Sequence, residues 1–110
     1  MRNSEKDDSR RMLNTIEPGS ETPIHGHKYT SETVVCLLGY LVEEFFDELE
    51  RKCTERIELS PNGPVVAMDV PAGRWHRVYA KESGTVLMER KNGKWEPLRE
   101  EDILSLLIMI

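Results

Sequence analysis

The sequence predicts an all-β fold, a single domain built as a sandwich or barrel of antiparallel sheet, and three observations lead there. Short stretches rich in β-branched and aromatic residues recur at regular spacing, with turn signals between them. No helical period of any length occurs before residue 99. The chain has 110 residues, enough for one real core and too few for two.

The elements follow in order. A polar segment, 1–10, precedes the expected barrel at 11–98, and a helix or tail is expected at 99–110. RMLNTIEPG alternates Met12, Asn14 and Ile16 against Leu13 and Thr15, and stops at Pro18-Gly19. ETVVCLLGYLVEEFF is β-rich and holds Gly39, and an interior glycine in such a run predicts a bend or bulge. On the strand after Glu32, Val34, Cys36 and Leu38 should share one face and Val35 and Leu37 the other. DELERK reads as a hairpin connection, CTERIELS as a strand, and PNGP as a turn. VVAMDV, WHRVYA and TVLMERK are three further strands, separated by PAGR and KESG. The closing ILSLLIMI follows REED, whose acids suit a helix N-terminus, so a short C-terminal helix is expected there.

Composition excludes several function classes. The formal net charge is -5, and no basic stripe stands ready to neutralise phosphates, so nucleic acid is not an expected partner. The apolar tail is far short of the ~20 residues a membrane span needs. The first ten residues lack the apolar stretch of a secretory signal. Cys36 and Cys53 form no CxxC, and Cys36 lies in an apolar run, so both read as reduced thiols of a cytoplasmic protein.

The chemistry concentrates in PIHGHKYTSE. Residues i and i+2 of a strand face the same way, so His25 and His27 project together. Glu32 follows a short loop that lets its carboxylate reach the same point. His76, the third and last histidine, comes just after a proline-glycine turn and opens a strand whose alternate members, Val78 and Ala80, look inward. By the same parity Trp75, Arg77 and Tyr79 point away. An HxH pair alone is more often two half-exposed polar residues than a metal site. Here every histidine of the chain lies beside a glycine-marked turn, with a carboxylate in range. Three imidazoles and one carboxylate make a mixed nitrogen and oxygen donor set suited to iron, manganese, zinc, nickel or cobalt.

The spacing Gly19-x5-His25-x-His27-x4-Glu32-x6-Gly39 resembles the first motif of the cupins, and Pro71-Ala-Gly73-Arg-Trp-His76 resembles the core of the second. Two positions depart from the pattern: Val65 stands where a glycine is usual before Pro71, and Ala80 where an asparagine is frequent. A narrower likeness runs through RMLN-IEPG, ELSPNGPV, VPAG-WH and ESGTVLMERKNGKWEPL, which is similar to the WbuC-type small cupin-fold metalloproteins over about residues 11–98. The resemblance implies a jelly-roll barrel holding one divalent metal ion on His25, His27, Glu32 and His76. It also implies a small-molecule ligand, such as a sugar derivative linked to surface polysaccharide. Glu32 is the candidate catalytic base as well as a ligand. Three readings stay open: a metal-dependent isomerase, epimerase or dioxygenase; a non-catalytic metal and carbohydrate-binding module; and a barrel merely stapled by its metal. Exposed sheet faces and edges predict a homodimer, with the apolar tail covering part of one.

Overall fold

Glycines and prolines cut the β-rich runs into seven strands. The computed structural model describes residues 9–20, 22–92 and 103. The strands are β1 (Ser9–Ile16), β2 (Glu32–Leu38), β3 (Leu41–Phe46), β4 (Cys53–Leu59), β5 (Ala67–Val70), β6 (Trp75–Ala80) and β7 (Thr85–Asn92). They form a four-stranded sheet in the order β1-β7-β2-β5 and a three-stranded sheet in the order β4-β3-β6, antiparallel throughout. The expected all-β jelly roll is the architecture observed, and no helix occurs among the described residues.

The two sheets face each other over a core of Val34, Cys36, Leu41, Phe45, Leu59 and Leu87, with Val70 and Val78 beside them. Strand parity supplies it. In β2 the buried residues are Glu32, Val34 and Cys36, and in β6 they are His76, Val78 and Ala80. Trp75, Arg77 and Tyr79 alternate with the buried set, as their parity predicts.

At Leu38 that alternation fails. A bulge between Cys36 and Leu38 inserts an extra residue against β7, so Leu38 leaves the core face and is 59% exposed. Just beyond it the chain leaves one sheet for the other at Gly39, whose φ is +83°. A side chain there would also collide with Thr85, so glycine is required twice over. The run read as one β-rich stretch is therefore two strands in two sheets.

The C-terminal helix expected at 99–110 lies outside the described residues, as does the polar segment before Ser9. Ile103 alone is described there, and it makes an isolated antiparallel bridge to His25.

Candidate metal centre

The site forms where a loop is drafted onto the edge of the three-stranded sheet. His25 and His76 exchange two backbone hydrogen bonds, each 2.9 Å, and Thr22 N–H donates to the Val78 carbonyl at 3.3 Å. Residues directly opposite in an antiparallel pair point to the same side. The two imidazoles therefore lie together on the inner face, with ring centroids 4.4 Å apart. Glu32, first residue of β2, reaches in from the opposing sheet, and its Oε1 sits 3.3 Å from His76 Nε2.

Donor atoms of His25, Glu32 and His76 all lie within 4.8 Å of one another, and all three residues are buried. They line a cavity of about 200 Å³ whose apolar lining includes Val34, Val78 and Leu87 and whose polar lining includes Glu43, Glu89 and Lys91. His27, the fourth predicted ligand, stands beside His25 with ring centroids 5.4 Å apart and edge-on. It is half-buried and outside the group of three. Its carbonyl accepts from Gly73 N–H at 2.8 Å, which ties the first motif to the PAGR turn of the second.

Hydrogen bonding orients both rings of the buried pair. His25 Nδ1 lies 2.7 Å from the Pro23 carbonyl, which can only accept, so Nδ1 carries the proton and Nε2 the lone pair. His76 Nδ1 contacts Glu43 Oε1. His76 Nε2 and Glu32 Oε2 are buried and make no hydrogen bond among the described residues. Buried polar atoms without a hydrogen bond are rare, and here two of them face one small space. Donor atoms sharing an ion at about 2.1 Å stand roughly 3–4 Å apart, which the His76–Glu32 spacing already meets. The donor set fits a divalent cation.

Electrostatics agree with the geometry. Burial, with the neighbouring His76 acting in the same direction, lowers His25 to about 4, so the ring is neutral at physiological pH, as a ligand must be. Burial also lowers His76. Burial and the Glu89 carboxyl raise Glu32 to about 7, despite the opposing pull of His76 and Lys91. The same two causes raise Glu43 to about 9. Three carboxyls share the cavity with a single lysine, whose Nζ lies 3.6 Å from Glu32 Oε2 and 3.8 Å from Glu89 Oε2. Such a pocket favours a cation.

Glu43, Glu89 and Lys91 were not singled out by the sequence. Parity carries the signal for the last two, because Leu87, Glu89 and Lys91 alternate on β7. Glu43 alternates with Leu41 and Phe45 but is hidden by its neighbour Glu44. Tyr29, by contrast, is near the ligands in sequence and 94% exposed.

Residues 1–59 match the family described as a domain of unknown function, DUF6016. The chain belongs to that family. No curated protein matches it. Among solved structures it is similar to the capsular polysaccharide assembling protein CapF from Staphylococcus aureus, with a TM-score of 0.67 and 22% identity over 83% of this chain. The match covers 26% of CapF, so this chain corresponds to about a quarter of that protein. QdtA, a sugar 3,4-ketoisomerase from Thermoanaerobacterium thermosaccharolyticum, matches 90% of this chain and 68% of its own at 21% identity, with a TM-score of 0.64. KdgF from Halomonas sp. matches 84% and 76% at 16% identity, with a TM-score of 0.67. These neighbours are cupin-fold proteins, and at such identities they establish the fold.

Proposed function

We propose that this chain is a small cupin metalloprotein of the WbuC type, holding one divalent metal ion on His25, Glu32 and His76 with His27 as the fourth donor. Its ligand is a small polar molecule, a sugar derivative by preference. The observation that carries this reading is the convergence on one buried point of two imidazoles, His25 with its tautomer fixed by the Pro23 carbonyl, and a carboxylate oxygen that makes no hydrogen bond. A bound cation would supply Lewis acidity at its open positions. The chain's own groups then do the rest. Lys91 and Glu89 offer a donor and an acceptor to hydroxyl or carbonyl groups entering the cavity, and the apolar lining of Val34, Val78 and Leu87 disfavours water there. Glu32, raised to about 7, is the group suited to take or return a proton near neutrality. The sugar preference is supported by neighbours that include a sugar 3,4-ketoisomerase and a capsular polysaccharide assembling protein. The cavity, at about 200 Å³, has room for a ligand of monosaccharide size or smaller.

A second reading is favoured by one specific contact. The His76 Nδ1–Glu43 pair has the form of an imidazole base oriented by a carboxylate, which would serve a sugar isomerase using proton transfer alone. Metal analysis of protein purified without an affinity tag separates the two. Stoichiometric iron, manganese, zinc, nickel or cobalt that is lost in His25→Ala and His76→Ala supports the first. A metal-free protein that isomerises nucleotide-linked keto sugars supports the second. A homodimer fits the exposed Leu13, Leu37 and Leu38 of the four-stranded sheet, and sedimentation at micromolar concentration tests it. A reducing, cytoplasmic setting fits the two free cysteines.

A further inference from the structure

We propose that Glu43 is the positioning residue of this site: by accepting the Nδ1–H of His76, it turns the unprotonated Nε2 of that ring into the cavity. The inference rests on the reading of His76 as a cavity-facing functional residue, and it names what makes His76 so.

Four observations carry it. Glu43 is fully buried on β3, between Leu41 and Phe45 on the core face, where a carboxyl is costly unless it is partnered. Its contact with His76 Nδ1 comes from Oε1, across the β3–β6 pair. The opposite ring nitrogen, Nε2, is buried, faces the cavity and makes no hydrogen bond among the described residues. A lone pair at Nε2 faces Glu32 Oε1 at 3.3 Å, an arrangement of two electron-rich atoms that only a cation or a transferred proton between them relieves.

The fourth observation is the parallel with His25. Its Nδ1 gives its proton to the Pro23 carbonyl at 2.7 Å, so the same orientation is enforced there by backbone. The site thus holds two rings in one tautomer with two different acceptors. Only the acceptor for His76 is a side chain, and so only that one can be removed by substitution. A partner of this kind fixes the ring and raises its basicity toward whatever meets the other nitrogen.

Nitrogen-edited NMR of the imidazoles, together with Zn²⁺ titration, tests this on the full chain as wild type, Glu43→Gln and Glu43→Leu. Gln keeps an acceptor oxygen at the same reach, whereas Leu keeps the volume and removes the acceptor. The metal-free wild type should show His76 as the Nδ1–H tautomer with a slowly exchanging ring proton. Gln should preserve that signature, and Leu should lose it for a mixture of tautomers. Zn²⁺ affinity should fall by about 10–100-fold in Glu43→Leu and by only a fewfold in Glu43→Gln. An Nε2–H tautomer in the wild type overturns the proposal, as does Glu43→Leu with unchanged tautomer and unchanged affinity. If Glu43→Leu does not fold, the wild-type tautomer and its retention in Glu43→Gln decide. A wild type that takes up no Zn²⁺ would remove the metal reading, while the tautomer comparison would still decide whether Glu43 orients His76.

Discussion

Two glutamates stand next to each other on β3 and meet opposite fates. Glu43 faces the interior and touches His76; Glu44 faces the other side of the same sheet and pairs with Arg77, directly across on β6, and with Arg56 on β4. Both carboxyls are nearly inaccessible. Burial, with the Glu89 carboxyl acting in the same direction, pushes Glu43 up to about 9. Burial would raise Glu44 as well, but hydrogen bonds from Arg77 and Arg56, at 2.8 Å and 2.7–3.0 Å, outweigh it and hold the group below the usual carboxylate range. The same two strands therefore carry a satisfied ion pair outside and an unsatisfied carboxyl–imidazole pair inside. The lesson is that burial alone says little about function. What distinguishes the inner pair is a polar atom left over and pointed at a cavity.

Substituting one residue on each side of β6 separates the two faces. His76→Ala should weaken divalent metal binding by at least about 100-fold, measured by competition with a chelating dye. Arg77→Ala, one residue along, should leave metal affinity unchanged. It should instead cost about 1–3 kcal/mol of stability in urea unfolding, since it strips a charged hydrogen bond from a buried carboxylate. Metal loss of equal size in both variants would mean that the two faces are not independent.

A second test uses pH on the metal-free protein. Glu32 and Glu43 have folded values raised to about 7 and about 9 from 4.5, so the folded state binds more protons than the unfolded state between those limits. Their contribution is complete below about pH 4.5 and is lost as pH rises through about 7 and then about 9. His25, lowered from 6.5 to about 4, acts in the opposite direction between those two values and is silent above 6.5. Stability should therefore fall from pH 6.5 to pH 9, by on the order of 1 kcal/mol per pH unit. Glu43→Gln should flatten the upper part of that slope, and saturating metal should oppose it. Glu44→Gln should not change the slope, because Glu44 is ionised throughout this range. A metal-free protein that gains stability between pH 7 and 9 would contradict the charge state assigned to the cavity.

How much of this was legible in the sequence depends on which physical rule fixed each part. Strand alternation and turn chemistry are local, and they place β4, β6, β7 and the face that carries His76, Val78 and Ala80. The bulge at Cys36–Leu38 is set by pairing with β7, a distant segment, so parity counted from Glu32 fails at Leu38. The meeting of His25, Glu32 and His76 follows from motif spacing plus one drafted loop strand. Glu43 was illegible for a different reason. In LVEEFF every residue is buried, on one face or the other, and two adjacent acids look alike until the partner strands declare which one meets guanidinium and which imidazole. Lys91 and Glu89 needed only the parity of β7 to be found, but nothing in their own spacing marks them as part of a site.

The smallest expected effect is the most discriminating for chemistry, and it concerns Glu32. The residue is both a donor in the group of three and a carboxyl raised to about 7. Glu32→Gln keeps an oxygen in place but removes the negative charge and the titration. Replacing a charged by a neutral donor costs about 1.4 kcal/mol, so metal affinity should fall about tenfold at pH 8 while His25, His27 and His76 still hold the ion. Below pH 7 the wild type must displace a proton from Glu32 to bind metal, so its affinity should decline with acidification, and that of Glu32→Gln should decline less. If the protein turns over a substrate, Glu32→Gln should lose more turnover than its metal occupancy accounts for, because the substitution also removes the proton acceptor. Metal content and turnover falling in strict proportion across Glu32→Gln, His25→Ala and His76→Ala would leave Glu32 a ligand and nothing more. Unchanged affinity and an unchanged pH profile in Glu32→Gln would take it out of the donor set, leaving the imidazoles to hold the cation and Lys91 as its partner across β2 and β7.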